Sequence, residues 1–284
     1  MVQKITVVGA GIMGSGIAYT SALNGFSVVL QDIAEAGLTK AKKEIEKIAS
    51  HSEEKGFITT EQKESALKRI KYESELEIAV QEAELVIEAI VENMDVKIEL
   101  FQKLDRLCHP NTILATNTSS LSPTEIGAQT SRPDKVVAMH FFNPVHKMKL
   151  VEIIRGLDTS DDTVAVIKAV TEQLQKESVE VNEFPGFVTS RMNVLIGNEA
   201  MNMLMEGVAS AEDIDKAIKL GLNHPMGPFE MGDLVGLDTR LRTLEYLYKT
   251  LGEKYRPSPL LVKYVKAGRL GKKSGKGVYD YREE

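Results

Sequence analysis

Two kinds of hydrophobic spacing divide this chain. Up to about residue 184, short β-branched runs alternate with amphipathic stretches; beyond it only helical spacing remains. Lys4–Val8 (KITVV) and Ser27–Leu30 (SVVL) predict strands, and between them Met13–Asn24 predicts a small-residue helix stopped by Gly25. Leu38, Ala41, Ile45 and Ile48 recur every three or four positions, placing them on one face of a long charged helix. A second helical piece at Glu61–Leu67 makes a helical hairpin with its turn at Gly56 and Phe57. Strand signals resume at Leu85–Val91, Thr112–Ala115, Val136–Phe141 and Leu150–Ile154, with a last short one at Val179–Val181. A helix over 95–107, with Ile98, Phe101 and Leu104 on its apolar face, separates the first pair, and Asp162–Leu174 predicts another before the last strand. Such alternation predicts a mainly parallel sheet covered on both faces.

The pattern changes at Glu183-Phe184-Pro185-Gly186. Val188–Glu206 predicts one long helix, with Met192, Leu195, Ile196 and Met203 at helical spacing. Ser210 with Asp213 predicts a capping box, and Gly221 the end of the helix it opens. Two further helices carry Leu241, Leu244 and Tyr248, then Leu261, Val262 and Val265. We expect two domains, 1–184 and an all-helical 185–284, which agrees with a length of 284 residues at roughly 150 per domain.

Composition narrows the class. With 43% hydrophobic and 27% charged residues, a disordered chain is excluded. A net charge of −6 argues against an extended nucleic-acid surface, though not against a local basic pocket for one phosphorylated ligand. The single cysteine, Cys108, cannot form an intramolecular disulfide, and no Cys/His cluster has zinc spacing, so no metal is expected. No apolar run reaches about 18 residues, so no membrane span is expected. The apolar stretch after Lys4 is divided by Gly9, Gly11, Gly14 and Gly16, unlike the compact core of a signal peptide. The expected setting is a reducing cytoplasm.

Those glycines form a motif. Gly9-Ala10-Gly11-Ile12-Met13-Gly14 is G-x-G-x-x-G, directly after a strand and opening a helix. The first glycine permits a tight turn, the second lets backbone approach a pyrophosphate, and the third allows close helix–strand packing. Asp32 ends the second strand, near the usual distance of about 20 residues from the loop. A carboxylate there accepts hydrogen bonds from ribose hydroxyls and repels a 2′-phosphate, which selects NAD over NADP. The bare pattern could be a turn alone; with strand, helix and acid around it, it predicts a dinucleotide site. The first domain is thus expected to be α/β, a Rossmann-type, mainly parallel sheet with a helical hairpin insertion, followed by an all-α C-terminal domain.

His140 closes an apolar strand and precedes Phe141-Phe142-Asn143-Pro144. Alone, a histidine beside two phenylalanines is more often a core residue. Glu152, flanked by Val151 and Ile153, is costly to bury unless paired. The intervening turn can set the two strands side by side, with Glu152 on one ring nitrogen and the other able to take a substrate proton. A purely structural His–Glu pair supporting the turn is the alternative.

HFFNP (140–144) and KLVEII (149–154), with NTSSL (117–121), AIVEN (89–93), HPMGPFE (224–230) and GKKSGKGVYDY (271–281), resemble the short-chain L-3-hydroxyacyl-CoA dehydrogenases. The resemblance covers essentially the whole chain, with the motifs in the family's order, and runs nearest to the bacterial 3-hydroxybutyryl-CoA branch. It implies NAD-dependent interconversion of short (S)-3-hydroxyacyl-CoA and 3-oxoacyl-CoA. His140 would be the base and Glu152 its orienting partner, while Ser119 and Asn143 would hydrogen-bond near the reacting carbonyl and nicotinamide. Glu92, Lys97 and Lys273 match NAD contacts, and Lys55 matches a lysine that meets the coenzyme A phosphates, unless it is simply solvated. Many members carry Asn where this chain has Ser190, after Pro185-Gly186-Phe187-Val188-Thr189. A hydroxyl there has shorter reach and one donor, which leaves a substrate contact open. His146 and His224 read as structural or peripheral. A homodimer is expected, with the methionine-rich helical domain supplying its interface. The rivals are a related dehydrogenase of a free hydroxy acid or sugar acid, and a non-catalytic NAD-binding protein.

Overall fold

The strands of the N-terminal part are four to six residues long, and several are buried along their whole length. Continuous apolar runs of this kind belong to a sheet covered on both faces. The computed structural model describes residues 2–282, and the chain divides into two compact units, residues 1–184 and 185–284.

In the first unit the order is β1 (Lys4–Val8), α1 (Ile12–Leu23), β2 (Ser27–Gln31), α2 (Glu35–Glu54), α3 (Thr60–Lys68), β3 (Ile70–Glu73), α4 (Leu76–Val80) and β4 (Leu85–Glu88). Then come α5 (Met94–Leu107), β5 (Ile113–Thr116), α6 (Pro123–Gly127), β6 (Val136–Phe141), β7 (Leu150–Arg155), α7 (Asp161–Gln173) and β8 (Glu177–Asn182). The strands lie in the order β3-β2-β1-β4-β5-β6-β7-β8. All neighbours from β3 to β6 are parallel, β7 runs antiparallel to β6, and β8 is parallel to β7. One core gathers Ile17, Leu38, Ile45 and Ile167 from α1, α2 and α7; the other gathers Phe101, Leu104 and Ile126 from α5 and α6. The sheet is therefore mainly parallel, with helices on both faces.

The helical hairpin is α2 and α3, with Gly56 in the left-handed region at φ 70°. Its second helix starts one residue earlier than Glu61, because Thr59 and Gln62 form a reciprocal capping box. Two differences from the expected strands have local causes. The strand at 85–91 stops at Glu88, whose side chain turns back to accept the Ile90 N–H at 2.7 Å. The edge strand β3 (IKYE) alternates, with Ile70 buried, Lys71 exposed and Tyr72 packed on the core, but one short run of four residues was passed over in the sequence.

The second unit holds α8 (Thr189–Met205), α9 (Ala211–Gly221), α10 (Pro228–Val235), α11 (Leu237–Leu251) and α12 (Pro259–Lys266). Its core includes Val194, Met201, Phe229, Leu244 and Leu261. The cap at Ser210 is half the expected box. Ser210 Oγ accepts the Asp213 N–H at 3.1 Å, but Asp213, one methylene shorter than Glu, binds the Ser210 hydroxyl and not its backbone. Gly221 is the last helical residue and not a left-handed stop; Asn223, at φ 54°, takes that conformation. The short helix α10 went unseen in the sequence because Asp215, on α9, caps it from a distance: its oxygens accept the N–H groups of Phe229 and Glu230 at 2.8 and 3.0 Å. Among the described residues, no helix is long and apolar enough to cross a membrane, and no cluster of His, Cys, Asp and Glu could hold a metal ion.

Candidate active site

The C-terminal ends of β1, β2, β4, β5 and β6 share one edge of the sheet, the edge where open α/β sheets bind ligands. The Gly9–Gly14 loop leaves β1 there. Gly9 has φ 104° and donates its N–H to Gln31 O at 2.8 Å. A side chain at Gly14 would begin 1.7 Å from Gly9 O, so only glycine lets α1 start this close to the strand. Around Gly11 the reverse holds: a Cβ there would meet nothing within 4 Å. The N-terminus of α1 has no side-chain cap, so its first-turn N–H groups are directed at open space beside Gly11, Ile12 and Met13. A pyrophosphate is the group such a terminus suits. Asp32 accepts the Ala10 N–H on Oδ2 at 2.8 Å and the Ala34 N–H on Oδ1 at 3.0 Å. Each oxygen retains a second lone-pair direction for a ribose hydroxyl. These residues fit NAD.

Next to this loop, at the end of β4, lies a charge cluster in which Glu88 and Lys97 are buried and Glu92 is exposed. Lys97 is 1% exposed and reaches Glu88 Oε1 at 2.5 Å and Glu92 Oε2 at 3.3 Å. Glu88, fully buried, also accepts the Thr116 hydroxyl at 2.5 Å. Glu92 Oε1 accepts the Thr118 hydroxyl at 2.5 Å and the Ser119 N–H at 3.1 Å. Thus Glu92, Lys97 and Ser119 are brought together, with the Lys97 ammonium turned inward onto carboxylates. Ser119 itself is exposed on the loop after β5. The neighbouring Asn117 ties that loop to β6 by accepting the Phe141 N–H at 2.9 Å.

His140 and Glu152 face each other in the β6–β7 register, and Nδ1 lies 2.7 Å from Oε2. They are 7% and 1% exposed. A carboxylate can only accept, so Nδ1 carries the proton and Nε2 is the basic nitrogen. The Phe142 ring stands 4.5 Å from the imidazole, centroid to centroid, tilted at 48°. Asn143 follows on the exposed turn.

Lys55 is exposed where α2 ends. Ser190 and Lys273 belong to the second unit. Ser190 is half-buried in the first turn of α8. Lys273 pairs with Asp238 at 2.6 Å. Burial alone would raise the Asp238 carboxyl, but the hydrogen bond and charge of Lys273 bring it below its ordinary value.

Reading the sequence missed Glu88, Thr116, Thr118 and Asn117. A glutamate ending the apolar LVIE run was a signal, since a carboxylate there needs a partner. It missed Asp233 too, which is fully buried and accepts the N–H groups of Val278 and Tyr279 at 2.9 Å each and the Tyr281 hydroxyl at 3.1 Å. HPMGPFE and GKKSGKGVYDY are thus joined through Asp215 and Asp233, since Tyr279 also donates to Asp215 at 2.8 Å.

Known proteins resemble this chain over nearly its whole length. The pattern for the 3-hydroxyacyl-CoA dehydrogenase NAD-binding domain matches residues 4–184, and that for the 3-hydroxyacyl-CoA dehydrogenase C-terminal domain matches residues 186–281. A probable 3-hydroxybutyryl-CoA dehydrogenase of Bacillus subtilis is 53% identical over 288 residues, covering 100% of this chain and 99% of its own. The human mitochondrial hydroxyacyl-coenzyme A dehydrogenase is 42% identical over 289 residues, covering 99% of this chain and 92% of its own. The crystal structure of an (S)-3-hydroxybutyryl-CoA dehydrogenase from Ralstonia eutropha superposes with a TM-score of 0.95 at 44% identity, covering 99% of each chain. The chain belongs to the 3-hydroxyacyl-CoA dehydrogenase family.

Proposed function

We propose that this protein is an NAD-dependent dehydrogenase interconverting (S)-3-hydroxybutyryl-CoA and acetoacetyl-CoA. The observation that carries the reading is the buried His140–Glu152 pair, on the same sheet edge as the dinucleotide loop. In oxidation, His140 Nε2 takes the proton of the 3-hydroxyl, and Glu152 stabilises the imidazolium across the Nδ1 bond. In reduction, protonated His140 returns the proton. NAD, when bound, supplies the hydride acceptor at carbon 4 of its nicotinamide. The Ser119 hydroxyl and the Asn143 amide hydrogen-bond near the reacting oxygen and the nicotinamide.

Gly9–Gly14 and Asp32 hold the adenine half of the cofactor, and Glu92 and Lys273 contribute further contacts; Lys97, expected as a contact, is buried and acts through Glu92. Lys55 meets coenzyme A phosphates as a flexible point charge, which is supported by its exposure at the hairpin turn. Ser190 makes a shorter substitute for the family's Asn contact. The helical second unit serves substrate binding and homodimerisation, and the protein works in the cytoplasm. For the dimer, the support is the exposed apolar set Met192, Met205, Val208, Leu220 and Leu222.

One comparison tests the activity: NADH oxidation with acetoacetyl-CoA, with free acetoacetate, and with neither. Turnover with the thioester alone is expected. Equal rates with free acetoacetate would sink the acyl-CoA reading, and no turnover with either would leave a binding protein.

A further inference from the structure

A buried ion pair is a poor stabiliser, because desolvation offsets much of its attraction. It does fix geometry, since displacing either partner strands a buried charge. Glu88 and Lys97 are 0% and 1% exposed, and the bonds around them converge on one loop. Glu88 Oε2 holds the Thr116 hydroxyl, and the Glu88 carbonyl accepts the Asn117 N–H at 2.8 Å. Glu88 Oε1 holds Lys97, and Lys97 holds Glu92 Oε2. Glu92 Oε1 then collects the Thr118 hydroxyl, the Ser119 N–H and, at 3.4 Å, the Ser120 hydroxyl. Residues 116–120 are thus tied by one carboxylate at their start and by the other beyond it, with one ammonium joining the two.

We propose that Glu88 is a positioning residue for the reaction: acting through Lys97 and Glu92, it sets the Ser119 loop against the cofactor. This rests on the assignment of Glu92 and Ser119 to the cofactor site. Glu88 itself, sealed beneath the loop, touches neither cofactor nor substrate. Removing its charge leaves the Lys97 ammonium answered by Glu92 alone. The 3.3 Å contact then shortens at the expense of the bonds Glu92 makes to Thr118 and Ser119.

The test is a double-mutant cycle read by NADH fluorescence titration and kcat, in the full-length protein. Glu88→Gln is expected to weaken NADH about tenfold, the scale of one lost hydrogen bond to a charged group. Glu92→Gln should do the same. The double variant should be no worse than Glu92→Gln by more than about twofold, because both substitutions cut one chain. Losses that multiply instead would show Glu88 acting independently and overturn the relay. A weakened Glu92→Gln beside an intact Glu88→Gln overturns the relay alone; wild-type binding in Glu92→Gln overturns the assignment beneath it as well. Should Glu88→Gln fail to fold, Thr116→Val removes only the hydroxyl that Glu88 Oε2 accepts. A loss of about threefold, absent on the Glu92→Gln background, supports the relay, and unchanged NADH binding overturns it.

Discussion

Asp32 carries two tasks that a single substitution separates. Its carboxylate holds the Ala10 N–H of the glycine loop, and in the proposed role it also accepts from the ribose. Asp32→Ala should therefore weaken both cofactors through the loop, and NADH far more than NADPH, because the charge opposing a 2′-phosphate is gone. The ratio of kcat/KM for the two cofactors measures it; a wild-type enzyme that already uses NADPH as well as NADH would contradict the role. In the dyad, His140→Gln should lower kcat by roughly 10²–10⁴, the range of a general base, with NADH affinity nearly intact. Glu152→Gln keeps an acceptor for the Nδ1 proton but removes the charge that stabilises imidazolium, so kcat should fall comparably. Near-normal turnover in both variants would leave the pair with a structural role only. The pairing of His140 with Glu152 across the turn was legible in the sequence; the structure added the antiparallel register and the 2.7 Å contact at Nδ1.

At the scale of elements, the second unit is fastened by two buried acids that each accept backbone N–H groups of another segment. Asp215 caps α10 from α9, and Asp233, within α10, anchors the segment 277–281. A Cβ at Gly277 would sit 1.9 Å from Asp233 Oδ1, so the segment can approach only as glycine. Asp233→Ala takes the buried carboxylate away from the Val278 and Tyr279 N–H groups, which should cost about 2 kcal/mol or more. The unfolding midpoint in urea measures this, and a shift equivalent to less than about 1 kcal/mol would mean that water replaces the carboxylate. None of this was readable beforehand. Helical spacing located α8, α11 and α12, and the Ser210 cap located α9, but α10 depends on a cap supplied from fourteen residues away in the chain.

Across the whole molecule, acid sensitivity should appear in two steps. His146 is held below its ordinary value of 6.5, mainly by burial and further by Lys147, Lys176 and His51. Its folded pKa being the lower one, the unfolded chain takes up the proton first. Stability is therefore full above about pH 6.5 and falls as pH drops from there through the folded value. The carboxyls of Glu84 and Glu230 are also depressed, mainly by hydrogen bonds, and that of Asp238 by the hydrogen bond and charge of Lys273 acting together against burial; their contribution is present above the ordinary carboxylate range and lost as pH falls below it. His146→Gln should flatten the first step and leave the second. Thermal unfolding midpoints from pH 8 to 3 decide it, and an unchanged slope between 6.5 and 5 would exclude His146 as its source.

The sequence by itself determined the alternation of strands and helices, the change of pattern after Glu183, the glycine loop with its acid, and the residues to be weighed for chemistry. These are local matters: periodicity, turn conformation and spacing within a few residues of chain. Beyond the His140–Glu152 pair, which the turn between two successive strands already implies, tertiary structure decided which of those residues meet. That β1 and β4 are neighbours puts Glu88 beside the dinucleotide loop, and the pairing of β4 with β5 gives Glu88 the Thr116 hydroxyl. The burial of Lys97 shows the same limit: the resemblance marks it as a cofactor contact, and only the packing shows its ammonium turned onto two carboxylates, from β4 and the turn beyond it. Hydrophobic period reports which side of an element is covered; it does not report which charge the covering element brings, and desolvated charges are placed by their partners.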